Sequence, residues 1–207
     1  MTLTVLDHPL AADLLARLRD ERTNPDLFRT LTRRLGWLVV LEATRDLATD
    51  PIDVPTPLET TSGRVITERL VAIPVLRAGL GLLDAATDLY PDTVVGYLGM
   101  ERDEITLQPR DYYAKLPPME GRRALVLDPM LATGGSGTAA LTHIKANAGP
   151  RSISFVCVVA APEGVERLAA DHPEVPVFTA ALDRQLNDQG FILPGLGDFG
   201  DRLHGTV

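Results

Sequence analysis

Residues 124–137, ALVLDPMLATGGSG, constrain the fold more than any other stretch of this chain: an apolar run stops at an acid and turns through glycines into a helical pattern. That order of parts builds an anion cradle at the carboxyl edge of a sheet. Leu125, Val126 and Leu127 read as a short buried strand, while Gly134, Gly135, Ser136 and Gly137 let successive backbone N–H groups point at an anion. Asp128 stands where the strand stops and a ligand begins.

Periodicity outward from this stretch sets the fold class. Residues 8–22 and 25–47 carry apolar side chains at helical spacing and predict an N-terminal pair of amphipathic helices. Pro51, Pro55 and Pro57 interrupt the pattern, after which residues 65–66 and 70–76 read as extended. Strand and helix then alternate: helix 79–89, strand 94–100, strand 124–127, helix 136–148, strand 153–160, helix 163–170, strand 175–179. Short apolar runs separated by helices predict an α/β fold with a mainly parallel, doubly wound sheet covered on both faces. The expected organisation is one domain over residues 1–207, with a helical cap (1–50), an α/β core (65–181) and a C-terminal hood (182–207). Within the core, the polar segment 101–118 reads as an arm.

Charge and composition remove several function classes. A net charge of -8 and a pI near 5.0 argue against binding to nucleic acid or a membrane surface, both of which need a broad basic patch. Lys115 and Lys145 are the only lysines among 20 basic residues, so arginine, with its bidentate fork, is the cation at hand. The lone Cys157 sits in an apolar run, reads as a buried inert thiol and carries no mark of an oxidising compartment. The first residues lack a basic stretch followed by an apolar core, and no apolar run approaches the roughly 20 residues of a membrane helix. A cytoplasmic protein is expected.

Ligands of open parallel sheets bind beyond the carboxyl ends of the strands. Arg77, in Arg77-Ala78-Gly79, follows strand 70–76; Arg102 follows strand 94–100; Asp128 and the glycine loop follow strand 124–127. Together they point to phosphate chemistry, with Arg77 and Asp128 expected at exposed strand ends. A triphosphate-binding P-loop needs a lysine before the Ser/Thr that opens the helix, and GGSGT has none. Phosphate must therefore be held by backbone amides, by the hydroxyls of Thr133, Ser136 and Thr138, and by helix polarity. The segment 186–206 alternates glycines with Phe191, Ile192, Leu193 and acids, which predicts an ordered hood offering peptide groups to a small planar ligand. His8, His143, His172 and His204 show no metal-ligand spacing, and no nucleophile elbow is present.

These residues resemble the uracil phosphoribosyltransferase family. DPMLATGGS (128–136) is similar to its phosphoribosyl-pyrophosphate (PRPP) motif, and IPVLRAGLG (73–81), YYAKLP (112–117), VVAAPEG (158–164) and LNDQGFILPGLGDFGDR (186–202) follow in the family's order. Pro129 stands where the purine enzymes of this fold carry a second acid, which is the pattern of the uracil branch. The resemblance implies a type I phosphoribosyltransferase fold and the pyrimidine-salvage reaction of uracil with PRPP to give UMP and pyrophosphate, assisted by Mg²⁺ carried on PRPP rather than held directly by protein ligands. It further implies PRPP binding by Arg77, Arg102, Asp128, Pro129, Met130, Leu131, Ala132, Thr133, Gly134, Gly135, Ser136 and Asp198. In that set Ala132 to Ser136 hold the 5-phosphate, Asp128 the ribose hydroxyls, and Arg77 and Arg102 the pyrophosphate; Arg77, Arg102, Asp128 and Asp198 are the catalytic candidates. Uracil would lie against Ile192, Gly197, Asp198 and Phe199. The family also implies a homodimer or larger homo-oligomer, with GTP as a candidate effector.

Two positions depart from the family's pattern. Phe199 replaces a common alanine, so its ring either narrows the base pocket or repacks the hood. Glu101 stands where an aromatic residue is common. The alternatives are a phosphoribosyltransferase for another nucleobase, motivated by Phe199, and a pyrimidine-responsive RNA-binding regulator on the same fold, which would need a basic face.

Overall fold

The structure is a computed structural model that describes residues 1–102 and 109–206, with side chains described outside 101, 102 and 109–112. The chain begins with a strand, β1 (Leu3–Val5), before helices α1 (Pro9–Arg19) and α2 (Pro25–Ala43). Asn24 starts α2 by accepting the Leu27 N–H at 2.9 Å, with Pro25 preset for the first turn. A hairpin of β2 (Thr49–Pro55) and β3 (Thr60–Ile66) follows. Pro51 and Pro55 fit because a two-stranded ribbon leaves one side of each strand without a ladder partner.

The alternating region contains β4 (Leu70–Leu76), α3 (Leu80–Leu89), β5 (Val94–Val95), β6 (Tyr97–Arg102), β7 (Pro109–Lys115), β8 (Arg123–Leu127), β9 (Met130–Leu131) and α4 (Gly135–Ala148). It continues through β10 (Ser152–Val156), β11 (Val159–Ala160), α5 (Pro162–Asp171), β12 (Val177–Thr179) and β13 (Ala181–Leu182). The final segment holds β14 (Gln185–Leu186), β15 (Ile192–Leu193) and a short helix α6 (Phe199–His204).

The main sheet runs β1-β12-β10-β8-β4-β6-β7, with β5 also beside β4. All its pairs are parallel except β6 with β7. Side chains of β8 alternate between two cores: Leu125 and Leu127 join the cluster under α1, α2, α3 and α6, whereas Ala124 and Val126 join the cluster under α4 and α5. A strand buried on both faces has no polar face, which is why its sequence is a continuous apolar run.

The doubly wound parallel sheet agrees with the sequence expectation, and the differences are local. Helices end at Arg19 and Ala43 rather than at 22 and 47. The expected strands 94–100 and 153–160 each divide in two. At the second division, Pro129 accepts the N–H groups of Val158 and Val159, and β11 leaves the main sheet for a small parallel sheet, β13-β11-β9. That small sheet lies directly after Asp128. Residues 65–66, expected to open the core, belong instead to the hairpin.

Candidate active site

Three segments meet beyond the carboxyl ends of β4 and β8. The first is Arg77-Ala78-Gly79. A Cβ at Gly79 would lie 2.3 Å from the Leu127 carbonyl oxygen, so only glycine lets the β4 turn pass this close to the end of β8. The Leu76–Arg77 peptide is cis. The Arg77 side chain is 61% exposed, with Nη2 3.9 Å from Oδ1 of Asp201.

Asp128 forms the centre. It was expected at an exposed strand end, but it is buried, because the chain after it folds back into the β9–β11–β13 sheet over the end of β8. Its N–H donates to Val156 O at 3.1 Å, and among the described residues its Oδ1 accepts only a long contact from the Met130 N–H at 3.4 Å. Among the described residues no cation pairs with it. Burial without a counter-charge pushes its carboxyl up to about 7. Such a group gains most from a ligand that brings hydroxyl donors or positive charge.

The glycine loop supplies the second segment. Gly134 has φ +75° and precedes α4 without a side-chain cap, so the first N–H groups of the helix have no helical acceptor. One of them, on Gly135, reaches Thr133 Oγ1 at 3.4 Å. Thr138 Oγ1, one turn further on, is buried without a partner among the described residues. The loop is set against α5: a Cβ at Gly164 would fall 2.4 Å from Ala132 O and 2.8 Å from Leu131 O. Leu131 is buried in the core and its carbonyl accepts from Ala161, so with Pro129 it supports the loop, while Ala132 to Ser136 line it.

The hood is the third segment. Ile192 is buried, on β15 paired with β14, and the Leu193–Pro194 peptide is cis. Asp198 is exposed and caps α6, its Oδ1 accepting the Asp201 N–H at 2.9 Å. Phe199, expected either to narrow the pocket or to repack the hood, does the second: its ring is buried and meets Phe28 of α2 edge-on at 5.0 Å. The carbonyls of Gly195 and Leu196 are held by Arg19 and Arg202. Among the described residues the peptide groups of Gly197 and the N–H of Phe199 form no hydrogen bond; Gly197 is exposed, whereas Phe199 is buried at the start of α6.

The segments converge. A Cβ at Gly190 would lie 3.5 Å from Thr133 Cγ2, and one at Gly200 would lie 3.9 Å from Ala78 Cβ, so the hood touches both the glycine loop and the Arg77 turn. Arg102 ends β6, but its side chain and that of Glu101 lie outside the described residues, as does most of the arm between them and β7. The side chains missed by sequence reasoning are those behind the hood: Arg19, Phe28, Asp183 and Arg202. No local signal marks them, since their partners are distant in the chain. His172, by contrast, is buried against Thr138 O, Thr142 and Lys145 and serves packing between α4 and α5. Burial pushes the Cys157 thiol up to about 12. Among the described residues no three His, Cys, Asp or Glu side chains gather as metal ligands, and no helix is long and apolar enough to cross a membrane.

A family model described as uracil phosphoribosyltransferase matches residues 5–206. The uracil phosphoribosyltransferase of Acholeplasma laidlawii is 48% identical over 206 residues, covering 99% of this chain and 98% of that one. That of Kineococcus radiotolerans is 49% identical over 212 residues, with 100% of both covered. Among solved structures, the AQ2163 protein from Aquifex aeolicus matches with a TM-score of 0.92 at 38% identity over 98% of both chains. This chain belongs to the uracil phosphoribosyltransferase family.

Proposed function

We infer that the chain transfers the 5-phosphoribosyl group of PRPP to uracil, giving UMP and pyrophosphate. The observation that carries the site assignment is the convergence at one sheet edge of an anion loop, a buried carboxylate without a cation partner among the described residues, and a hood whose Gly197 peptide groups form no hydrogen bond among those residues.

Displacing pyrophosphate from the anomeric carbon puts positive charge on the ribose and negative charge on the leaving group. In our reading the N–H groups of Ala132 to Ser136 and the α4 N-terminus hold the 5-phosphate. Asp128, ionised, holds the ribose hydroxyls and faces the growing positive charge. Arg77 and Arg102 hold the departing pyrophosphate. Mg²⁺ carried on PRPP would supply further charge neutralisation, with Asp198 assigned to its water shell or to PRPP itself. Uracil presents N3–H and O4, which the Gly197 carbonyl and the Phe199 N–H match. Cytosine reverses both groups and would leave buried peptide groups unpaired, a mismatch that rejects an analogue strongly. Phe199 gives no support to a different base, because its ring points away from the hood's exposed edge.

We further propose a homo-oligomer working in the cytoplasm. The β2–β3 hairpin exposes Ile52, Leu58, Val65 and Ile66, an apolar projection suited to a second copy of the chain. The test of the reaction is incubation with PRPP, Mg²⁺ and each of several bases. UMP from uracil alone is expected; a nucleotide from hypoxanthine or cytosine with none from uracil would overturn the assignment.

A further inference from the structure

The hood takes its shape from one ion pair that joins it to α1. Arg19, at the end of α1, donates to both carboxylate oxygens of Asp183, at 2.8 and 2.6 Å, and the same guanidinium donates to the Gly195 carbonyl at 2.7 Å. Asp183 Oδ2 in turn accepts the Gly195 N–H at 3.0 Å. One pair therefore engages both peptide groups of Gly195. The side chains are 23% and 5% exposed, so the bonds form largely away from water. Gly195 has φ +59°, and a Cβ there would fall 2.1 Å from Ile192 O, so the turn has a single way to run.

Two residues later comes Gly197, whose carbonyl is assigned to the base. A carbonyl's direction is set by the peptides before it, and here the preceding carbonyls are both fixed by arginines: Gly195 by Arg19, and Leu196 by Arg202 at 2.6 Å. Arg202, on α6, also collects the Leu18 and Asp20 carbonyls at the end of α1. Arg19 and Asp183 form the other side of the clamp, on α1 and on the turn after β13. A buried pair of this kind is weak evidence for stability, since apolar residues of similar volume are often as stable; what a bidentate fork adds is direction.

We propose that Arg19 and Asp183 are positioning residues for base recognition: by holding both peptide groups of Gly195 they aim the Gly197 carbonyl and the Phe199 N–H at the base. They thereby set uracil affinity and the rejection of cytosine without touching PRPP. The proposal rests on the reaction assigned above.

The test is steady-state kinetics on Arg19→Lys, Asp183→Asn and the double variant, varying uracil and PRPP separately. KM for uracil rises at least about tenfold, KM for PRPP stays within about twofold, and the uracil preference over cytosine in kcat/KM falls. The double variant is no worse than the poorer single, because the fork acts as one unit. Unchanged uracil KM in folded variants overturns the proposal, as does a parallel rise in both KM values, which would mark a merely structural pair. If Arg19→Lys and Asp183→Asn do not fold, Asp183→Glu is assayed by the same criteria, and its failure to fold also assigns the pair to stability alone. The unmodified chain is the separate control. No UMP from it overturns the reaction itself, whereas UMP with unaltered variant KM values overturns only the positioning role.

Discussion

The ring of Phe199 meets that of Phe28 edge-on, with centroids 5.0 Å apart and planes at 69°, while the Arg202 guanidinium lies 4.6 Å over the Phe28 face. Helix α6 is thereby pinned to α2 by an aromatic contact, with the Phe199 ring buried at its start. Phe199→Ala leaves a cavity in this contact and is expected to cost ~3 kcal/mol or more, about 10 °C in Tm, with uracil still the preferred base. Thermal melts and a base panel check it; a switch of base preference would show that the ring shapes the pocket.

Asp128 links stability and turnover to pH. Its folded pKa of about 7 stands above the ordinary aspartate value of 3.8, so the folded chain keeps a proton that the unfolded chain has lost, and stability falls as pH rises from about 4 to about 7. Asp128→Asn removes that dependence. The variant is expected to match the parent near pH 4 and to be the more stable near pH 8, by at most ~4 kcal/mol. Turnover moves the other way: kcat/KM for PRPP in the parent falls below about pH 7, and the variant is about a hundredfold lower and flat. Melts at pH 5 and 8 beside a pH–rate profile decide the matter; a variant less stable at pH 8 contradicts the burial argument.

Arg77 is the opposite case. Its side chain is largely exposed and, among the described residues, its nearest ion-pair partner is Asp201 at 3.9 Å, so Arg77→Ala is expected to move Tm by no more than about 2 °C. Activity should fall about a hundredfold or more, as expected for a lost charge clamp on the leaving group. A large drop in Tm with turnover retained by the folded fraction would make Arg77 structural.

Gly164 tests the loop from behind. A Cβ there meets the Ala132 and Leu131 carbonyls, both backbone, so the loop must shift. Gly164→Ala is expected to cost ~1–3 kcal/mol and to raise KM for PRPP at least tenfold, with KM for uracil changed less. Substrate-saturation curves for each substrate separate the two.

What could be read from the chain alone follows physical lines. Strands β4 and β8 are legible because both faces are buried and their residues are nearly all apolar, and β10 because Phe155 and Val156 lead into the apolar run that follows. The loop at 128–136 is legible because its glycines and acid are contiguous. Strand β1 was missed: three residues before a helix carry no period, and only pairing with β12 makes Leu3–Val5 a strand. Helix α6 was missed because its six residues sit among glycines, its start fixed by the Asp198 cap. The Arg19–Asp183 pair spans 164 positions and leaves no local pattern. Asp128 was placed at the right strand end but with the wrong exposure, since its cover comes from strands of only two residues.

The most direct test of the account is a crystal structure with UMP bound. The 5-phosphate is expected at the α4 N-terminus and the uracil ring on the hood, its N3 and O4 within hydrogen-bonding distance of the Gly197 carbonyl and the Phe199 N–H. A base lying elsewhere, with those peptide groups facing solvent, would contradict it.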